Sequence, residues 1–173
     1  MAKFGIISDT HITSKDDPKK VKELIDQLRN IFSDVDEIIH AGDVCEEFFL
    51  DELKKIAPTK VTKGNLDNIK CSEKFIKFTA GSYNIGVIHK APENLEQFFK
   101  ENNIHILING YTHIPIIKGT PYNTLLLNPG SPTHPKPPPK KPMFKDPIAR
   151  PSVITLEIDE SDILKTFIIH LKT

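Results

Sequence analysis

The sequence lacks the features that mark secreted or membrane-spanning proteins. It has only two cysteines, Cys45 and Cys71, which are too few for a disulfide framework and fit a reducing compartment. Its longest apolar runs, such as residues 104–108, are far too short to cross a membrane. No basic segment followed by an apolar one opens the chain, so we expect no secretion signal and a cytoplasmic location.

The sequence also lacks an excess of either charge. Lys and Arg together number 23, as do Asp and Glu, so no overall field attracts nucleic acid or anionic lipid, although a local basic patch remains compatible with this balance. A length of 173 residues suffices for one domain with a full core, and we expect a single domain over residues 1–173. A proline-rich loop at about residues 132–151 is the one low-complexity segment.

Strands and helices alternate in the first third of the chain. Short apolar runs predict strands at residues 2–8, 37–43 and 59–63. Apolar residues at helical spacing predict one helix that begins at Pro18 and another over about residues 46–56. The order βαβαβ predicts a parallel sheet with right-handed crossovers.

The rest of the chain is richer in predicted strands. Pro92 is expected to start a third helix. The predicted strands are residues 75–79, 83–89, 104–108, 114–118, 124–127, 153–158 and 163–171.

Five strand ends in succession carry residues that can bind a metal: Asp9 with His11, Asp43, Asn65, His89 and His113. Each has an ordinary alternative, since Asp after a strand often caps a helix, Asn often makes a turn, and a single His is usually just hydrogen-bonded. Ligand sites in open α/β sheets lie beyond the carboxyl ends of the strands, so these groups would converge at one edge. Carboxylate and imidazole ligands together suit Zn, Mn, Fe or Ni better than Ca or Mg.

The motifs occur in an order that resembles one known family. The series is D-x-H, G-D, G-N-x-D, H and G-x-x-H, followed by N-P-G-S. It resembles the calcineurin-like metallophosphoesterases, above all their small single-domain bacterial and archaeal phosphodiesterase branch, and is also similar to the small retromer subunit. The resemblance implies an α/β fold (α+β layered), a four-layer αββα sandwich of two mixed β-sheets flanked by helices. It also implies a metal-dependent phosphoesterase that acts on phosphodiesters.

The same resemblance implies two divalent metal ions, which could be Mn, Ni, Zn or Fe, and a metal-bridging hydroxide that attacks phosphorus. The implied ligands of the first metal are Asp9, His11, Asp43 and His113. Those of the second are Asp43, Asn65, His89 and the residue after Gly110. Asp43, Asn65 and His89 are the implied catalytic residues, with Asp43 shared between the metals.

Three positions depart from the family pattern. Tyr111 stands where the family usually has a His ligand, and a phenol must first lose a proton whose ordinary pKa is about 10. We therefore expect a weak second site, in which Tyr111 is a phenolate ligand, a donor to the substrate phosphate, or simply packs. Leu66 replaces a His that protonates the leaving group or stabilises charge in many larger members, which leaves Asp67 to tie its own loop. Lys90 follows His89, where it could bind substrate oxygens or remain solvated.

Other candidates have simpler interpretations. His40, His105 and His170 are expected to pack or bond locally, and Cys45 to be a buried thiol. His134 follows N-P-G-S and could replace a missing ligand.

The proline-rich loop has three interpretations: a disordered surface loop, a basic flap that recruits anionic substrate, or a segment that docks a partner. The family resemblance implies a phosphoester as the small-molecule partner, and strand edges or this loop could mediate a homodimer. The alternative to an enzyme is a binding or scaffold module on the same fold that retains one metal or none.

Overall fold

Two five-stranded mixed β-sheets pack face to face and carry helices on their outer sides, as the sequence predicted. The computed structural model describes residues 1–70 and 73–172, so Cys71 lies outside the described residues. The strands are β1 (Ala2–Ile7), β2 (Glu37–His40), β3 (Thr59–Val61), β4 (Phe75–Ala80), β5 (Tyr83–Ile88), β6 (Ile106–Asn109), β7 (Pro115–Gly119), β8 (Leu125–Pro129), β9 (Ser152–Ile158) and β10 (Leu164–His170). The helices are α1 (Pro18–Ile31), α2 (Glu47–Lys54) and α3 (Leu95–Asn102).

The first sheet has the order β10-β9-β1-β2-β3. Strands β1, β2 and β3 are parallel, with Ile7 opposite His40 and His40 opposite Val61. Their carboxyl ends therefore meet at one edge, which is where Asp9 and Asp43 follow β1 and β2.

The second sheet has the order β4-β5-β6-β8-β7. Its strands β5, β6 and β8 are parallel, and the register pairs Ile88 with Asn109 at the carboxyl ends of β5 and β6. His89 and His113 lie just beyond those ends. The histidines therefore lie at the edge of the second sheet, just as the carboxylates lie at the edge of the first.

Successive side chains of the central strands point to opposite faces of their sheet, so the described residues form three separate apolar clusters. In β1, Ile6 points between the sheets, whereas Ile7 packs beneath α1 and α2 with residues such as Leu28 and Phe49. On the far side, Leu107 of β6 packs against α3. Because both faces of these strands are buried, nearly every residue of each strand is apolar in the sequence.

Capping residues fix where the helices begin. Pro18 is the first residue of α1, and the Asp17 side chain accepts a hydrogen bond from the amide of Lys19. The expectation that Pro92 starts the third helix was wrong, because α3 begins at Leu95. Its start is set by Asn94, whose side chain accepts from the amide of Gln97.

The proline-rich segment between β8 and β9 contains neither helix nor strand. Its tip exposes apolar side chains, with Met143 fully accessible and Phe144 70% exposed. Lys140 and Asp146 form an ion pair of 2.5 Å across the base of this tip. Across the described part of the chain, no helix is long and apolar enough to span a membrane.

Candidate metal centre

The predicted ligand residues lie on tight turns at the shared edge of the two sheets. Asp9, His11, Asp43 and His113 all have left-handed backbone torsions, with φ of 53°, 48°, 58° and 61°. Such conformations cost about 1–3 kcal/mol each in residues other than glycine and persist only where the surroundings impose them. Their concentration here indicates that the fold maintains a strained arrangement to aim these side chains.

Two of the three histidines have their ring orientation fixed by backbone carbonyls. Nδ1 of His89 lies 2.8 Å from the carbonyl oxygen of Ala41, and Nδ1 of His113 lies 2.7 Å from that of His134. A carbonyl can only accept, so both Nδ1 atoms carry the proton. In the neutral rings, the lone pair is therefore on Nε2, which is the orientation that metal-bound histidines show.

These Nε2 atoms face the two carboxylates. Nε2 of His113 lies 3.4 Å from Oδ1 of Asp9, and Nε2 of His89 lies 3.4 Å from Oδ2 of Asp43. Nε2 of His11 lies 3.9 Å from the same Asp9 oxygen and 3.8 Å from the same Asp43 oxygen. The Nε2 atoms of His11 and His113 are only 3.2 Å apart.

The candidate ligand atoms form two overlapping groups in which every pair lies within 4.8 Å. One group is Asp9, His11 and His113, and the other is Asp9, Asp43 and His89. The first contains three of the four predicted ligands of metal one, with Asp43 within reach of His11. The second adds Asp9 to the residues predicted around metal two.

Two atoms that face the cluster are buried without a hydrogen-bond partner among the described residues: Oδ1 of Asp9 and Nε2 of His89. A buried polar atom without a partner costs about 1–3 kcal/mol. A divalent cation bound to both atoms would remove that cost. The residues present therefore fit a metal ion.

Protonation of the metal-free site follows from the same contacts. Burial works against the charged form of Asp43, but the adjacent His89 ring and the hydrogen bond from the amide of Leu66 outweigh it and lower the pKa to about 2. For His89, burial lowers the pKa, but Asp43 and the Ala41 carbonyl outweigh it, so that the net pKa is raised. Burial keeps the pKa of His11 below its ordinary value and that of Asp9 above it. Metal binding must therefore displace a proton from His89 at mildly acidic pH.

Asp67 holds together the two turns that flank Asp43. Its carboxylate accepts hydrogen bonds from the amides of Asp43 at 3.0 Å, Cys45 at 2.8 Å and Gly64 at 2.6 Å. Asp67 therefore ties its own loop, as predicted, and also the loop after β2. Gly64 must be glycine, because a Cβ there would lie 2.2 Å from Oδ1 of Asp43.

Asp9 is held in place by neighbours on both sides. Its Oδ2 accepts hydrogen bonds from the hydroxyl of Ser8 at 2.6 Å and from the amide of Tyr111 at 2.9 Å. A Cβ at Gly110 would lie 1.9 Å from the Ser8 Oγ, so this close approach requires glycine. These bonds occupy Oδ2 and leave Oδ1 directed at the histidines.

The three departures from the family pattern lie around this cluster. Tyr111 is 42% exposed, and its ring meets the His89 ring edge-on, with centroids 5.7 Å apart. Nζ of Lys90 lies 5.1 Å from the centre of the Tyr111 ring. Leu66 is 63% exposed, while its amide donates to Oδ1 of Asp43 at 2.9 Å. Lys90 and Tyr111 are thus neighbours, and their roles toward substrate stay predictions.

Asn65 is exposed, and its neighbours Gly64 and Leu66 both contact Asp43. Its backbone therefore lies at the site, and its role as a ligand stays a prediction. His105 is bonded locally, as expected, because its Nδ1 accepts from the amide of Asn84 at 2.9 Å. Sγ of Cys45 lies 3.8 Å from Nδ1 of His11, and burial raises the pKa of this thiol to about 11.

The start of the proline-rich segment contributes contacts that the sequence did not predict. The Ser131 hydroxyl donates to the carbonyl of Asp9 at 2.7 Å, and the Thr133 hydroxyl donates to that of Thr10, also at 2.7 Å. The His134 ring meets the His11 ring edge-on, with centroids 5.4 Å apart, and the role of His134 as a replacement ligand stays a prediction. The N-P-G-S motif was a signal for this region but gave no information on these long-range bonds.

Comparison with known proteins defines the class. The profile described as "Calcineurin-like phosphoesterase superfamily domain" matches residues 2–160. A protein of Methanothermobacter thermautotrophicus described as a "Probable metallophosphoesterase" is 33% identical over an alignment of 175 residues, gaps included, which covers 94% of this chain and 92% of the relative. A protein of Methanocaldococcus jannaschii with the same description is 40% identical over 140 residues, which cover 77% of this chain and 69% of the relative. The chain therefore belongs to the calcineurin-like phosphoesterase superfamily.

Solved structures share the fold at lower identity. Vps29 of Entamoeba histolytica, solved with Zn²⁺, is 23% identical and superposes with a TM-score of 0.71 over 97% of this chain and 98% of its own. An archaeal phosphodiesterase is 21% identical, with a TM-score of 0.68 over 96% of this chain and 99% of its own. At these identities, the similarity establishes the sandwich architecture alone.

Proposed function

We propose that this chain is a metal-dependent phosphodiesterase with a binuclear centre at the shared sheet edge. The observation that carries the proposal is the pairing of histidine Nε2 atoms with the carboxylates of Asp9 and Asp43 at 3.4 Å. Because the Nδ1 atoms of His89 and His113 are bonded to carbonyls, neutral rings would direct lone pairs at carboxylate oxygens. That arrangement is repulsive unless a proton or a metal cation lies between them.

The ligand set favours a transition metal such as Mn, Ni, Zn or Fe over Ca or Mg, because imidazole and carboxylate are combined. Asp9, His11, Asp43 and His113 are the proposed ligands of the first ion. The proposed ligands of the second ion are Asp43, Asn65 and His89. We expect this ion to bind more weakly, because the phenol of Tyr111 lacks the free lone pair that a neutral imidazole would offer at that position. Divalent ions held there would supply a nucleophilic water at neutral pH and neutralise the charge on phosphoryl oxygens.

The chain's own residues would orient the substrate. Lys90 supplies a positive charge beside Tyr111, where it would bind a phosphoryl oxygen. The exposed side chains of Leu66 and Tyr111 provide apolar surface for a substituent of the phosphate. A phosphodiester has two substituents, one more than a monoester, so it suits this apolar rim better.

Paired substrates with one leaving group test this specificity. We expect the protein loaded with Mn²⁺ or Ni²⁺ to hydrolyse bis(4-nitrophenyl) phosphate with a kcat/KM about tenfold or more above that for 4-nitrophenyl phosphate. Tyr111→Ala should raise KM for the diester. Tyr122→Ala is the matched control, because Tyr122 is 43% exposed and lies before β8, at the opposite end of the sheet. Equal kcat/KM for the two substrates would refute the diester preference.

A binding or scaffold module is the second candidate function. The observation that favours it is the exposed apolar rim of Leu66 and Tyr111, which would also suit a protein partner. This candidate predicts that the protein binds one equivalent of metal and hydrolyses no phosphoester. Metal stoichiometry measured beside the substrate panel separates the two functions.

A further inference from the structure

His40, which neither the ligand set nor the substrate rim uses, is fully buried at the end of β2. Its Nε2 lies 3.1 Å from the hydroxyl oxygen of Thr10. Thr10 is the residue between the proposed ligands Asp9 and His11, and its hydroxyl also lies 3.4 Å from the carbonyl of Asp43. A single histidine thus contacts the turn that carries two ligands and, through Thr10, approaches the turn that carries a third.

The hydrogen-bond directions at His40 can be assigned. Complete burial lowers its pKa to about 3, so the ring is neutral at physiological pH. Nδ1 has no partner among the described residues. An unpaired buried acceptor is less costly than an unpaired buried N–H, so the proton belongs on Nε2. His40 therefore donates to Thr10, whose own proton is free to point at the Asp43 carbonyl.

Thr10 is held from the opposite side as well. Its carbonyl accepts the Thr133 hydroxyl at 2.7 Å. The residues on each side of Thr10, Asp9 and His11, both have left-handed φ values. A turn with two strained residues needs contacts that prevent it from relaxing, and the contacts of Thr10, which lies between the two residues, provide them.

We propose that His40 is a positioning residue of the metal centre, which acts through the Thr10 hydroxyl to hold the turn that carries Asp9 and His11. It touches neither metal nor substrate. The inference rests on the proposed metal centre, but not on turnover. Partners behind metal ligands typically change metal affinity 10–100-fold when they are lost.

Substitutions that differ only in the hydrogen bond test this role. His40→Met removes the donor, whereas His40→Gln keeps an N–H donor at a similar reach. In apo protein titrated calorimetrically with Mn²⁺, we expect His40→Met to weaken the tighter site about tenfold and His40→Gln to restore most of the affinity. Thr10→Val should reproduce the loss and Thr10→Ser should not.

The double variant of His40→Met and Thr10→Val should lose no more affinity than either single one, because both remove the same contact. Thr124→Val is the control for buried polar residues in general. The Thr124 hydroxyl donates to the carbonyl of Ile104 at 3.2 Å, at the opposite end of the second sheet. Its loss should lower the free energy of unfolding without changing Mn²⁺ affinity.

Two results would overturn the inference. One is wild-type Mn²⁺ affinity in both His40→Met and Thr10→Val, since His40 would then be an ordinary core residue. The other is an additive loss in the double variant, since the two side chains would then act independently. A wild-type protein that binds Mn²⁺ without hydrolysing any phosphoester would refute the proposed function alone. A wild-type protein that binds no divalent metal would refute both.

Discussion

Replacing Asp67 with Ala should loosen the metal site and destabilise the protein together. The Asp67 carboxylate accepts three backbone N–H groups, those of Asp43, Cys45 and Gly64, at 2.6–3.0 Å. Hydrogen bonds to a charged group contribute about 1.5–3 kcal/mol each, and three at the lower value sum to about 4.5 kcal/mol. A domain of this kind is stable by about 5–15 kcal/mol, so the variant should still fold.

The matched control is Asp67→Asn, which keeps the shape and one acceptor oxygen. We expect it to lose about half as much, near 2 kcal/mol, because one amide would then face an NH₂ group. Denaturant unfolding in the presence of a chelator measures both losses without a contribution from bound metal. The Mn²⁺ affinity of Asp67→Ala should also fall, since the turn carrying Asp43 would no longer be held. A loss below about 1 kcal/mol with unchanged Mn²⁺ affinity would refute this reasoning.

Three further predictions concern single positions. His40 has a folded pKa of about 3 against an ordinary value near 6.5, so the unfolded chain takes up its proton first as pH falls. The free energy of unfolding should therefore decline between pH 6.5 and 3 by up to about 1.4 kcal/mol per pH unit. Denaturant titrations of chelator-treated His40→Gln should show a shallower decline across that range. Leu66→His should accelerate the hydrolysis of diesters with alkyl leaving groups but not of those with aryl leaving groups. Rates measured for a series of diesters that differ in the pKa of the leaving group would reveal this difference. An equal change in rate across the whole series would argue against it. Tyr111→His should tighten the weaker metal site roughly tenfold by calorimetry, because neutral imidazole needs no deprotonation at pH 7, and an unchanged second site would count against that assignment.

The convergence of the candidate ligand residues was predictable because it follows a simple rule of sheet geometry. Asp9, Asp43, His89 and His113 come shortly after the ends of buried strands, and parallel strands bring their carboxyl ends to one edge. The alternation of Ile6 and Ile7 between two cores is likewise inherent in strand geometry. These features depend on local pattern and on a topology with few alternatives.

The contacts that hold those side chains in place were not predictable from the pattern. Thr133 bonds to Thr10 across 123 residues of sequence, and its partner is a backbone carbonyl, which has no signature in the sequence. The carbonyl of His134 that orients His113 has the same character. For α3, the proline signal at Pro92 misled because the side chain of Asn94 caps a later turn. Each of these contacts depends on the conformation of a loop, and the local periodicity of the sequence carries no information on loop conformation.

The most direct test of the account follows diester hydrolysis during the titration of chelator-treated protein with Mn²⁺. We predict no turnover of bis(4-nitrophenyl) phosphate before metal is added, turnover that rises with bound metal, and none in Asp43→Ala at any metal concentration. Asp43 is decisive because its Oδ2 lies 3.4 Å from Nε2 of His89 and 3.8 Å from that of His11, between the two ligand groups. Saturation with metal and no turnover by the wild-type protein, or equal turnover by Asp43→Ala, would contradict the account.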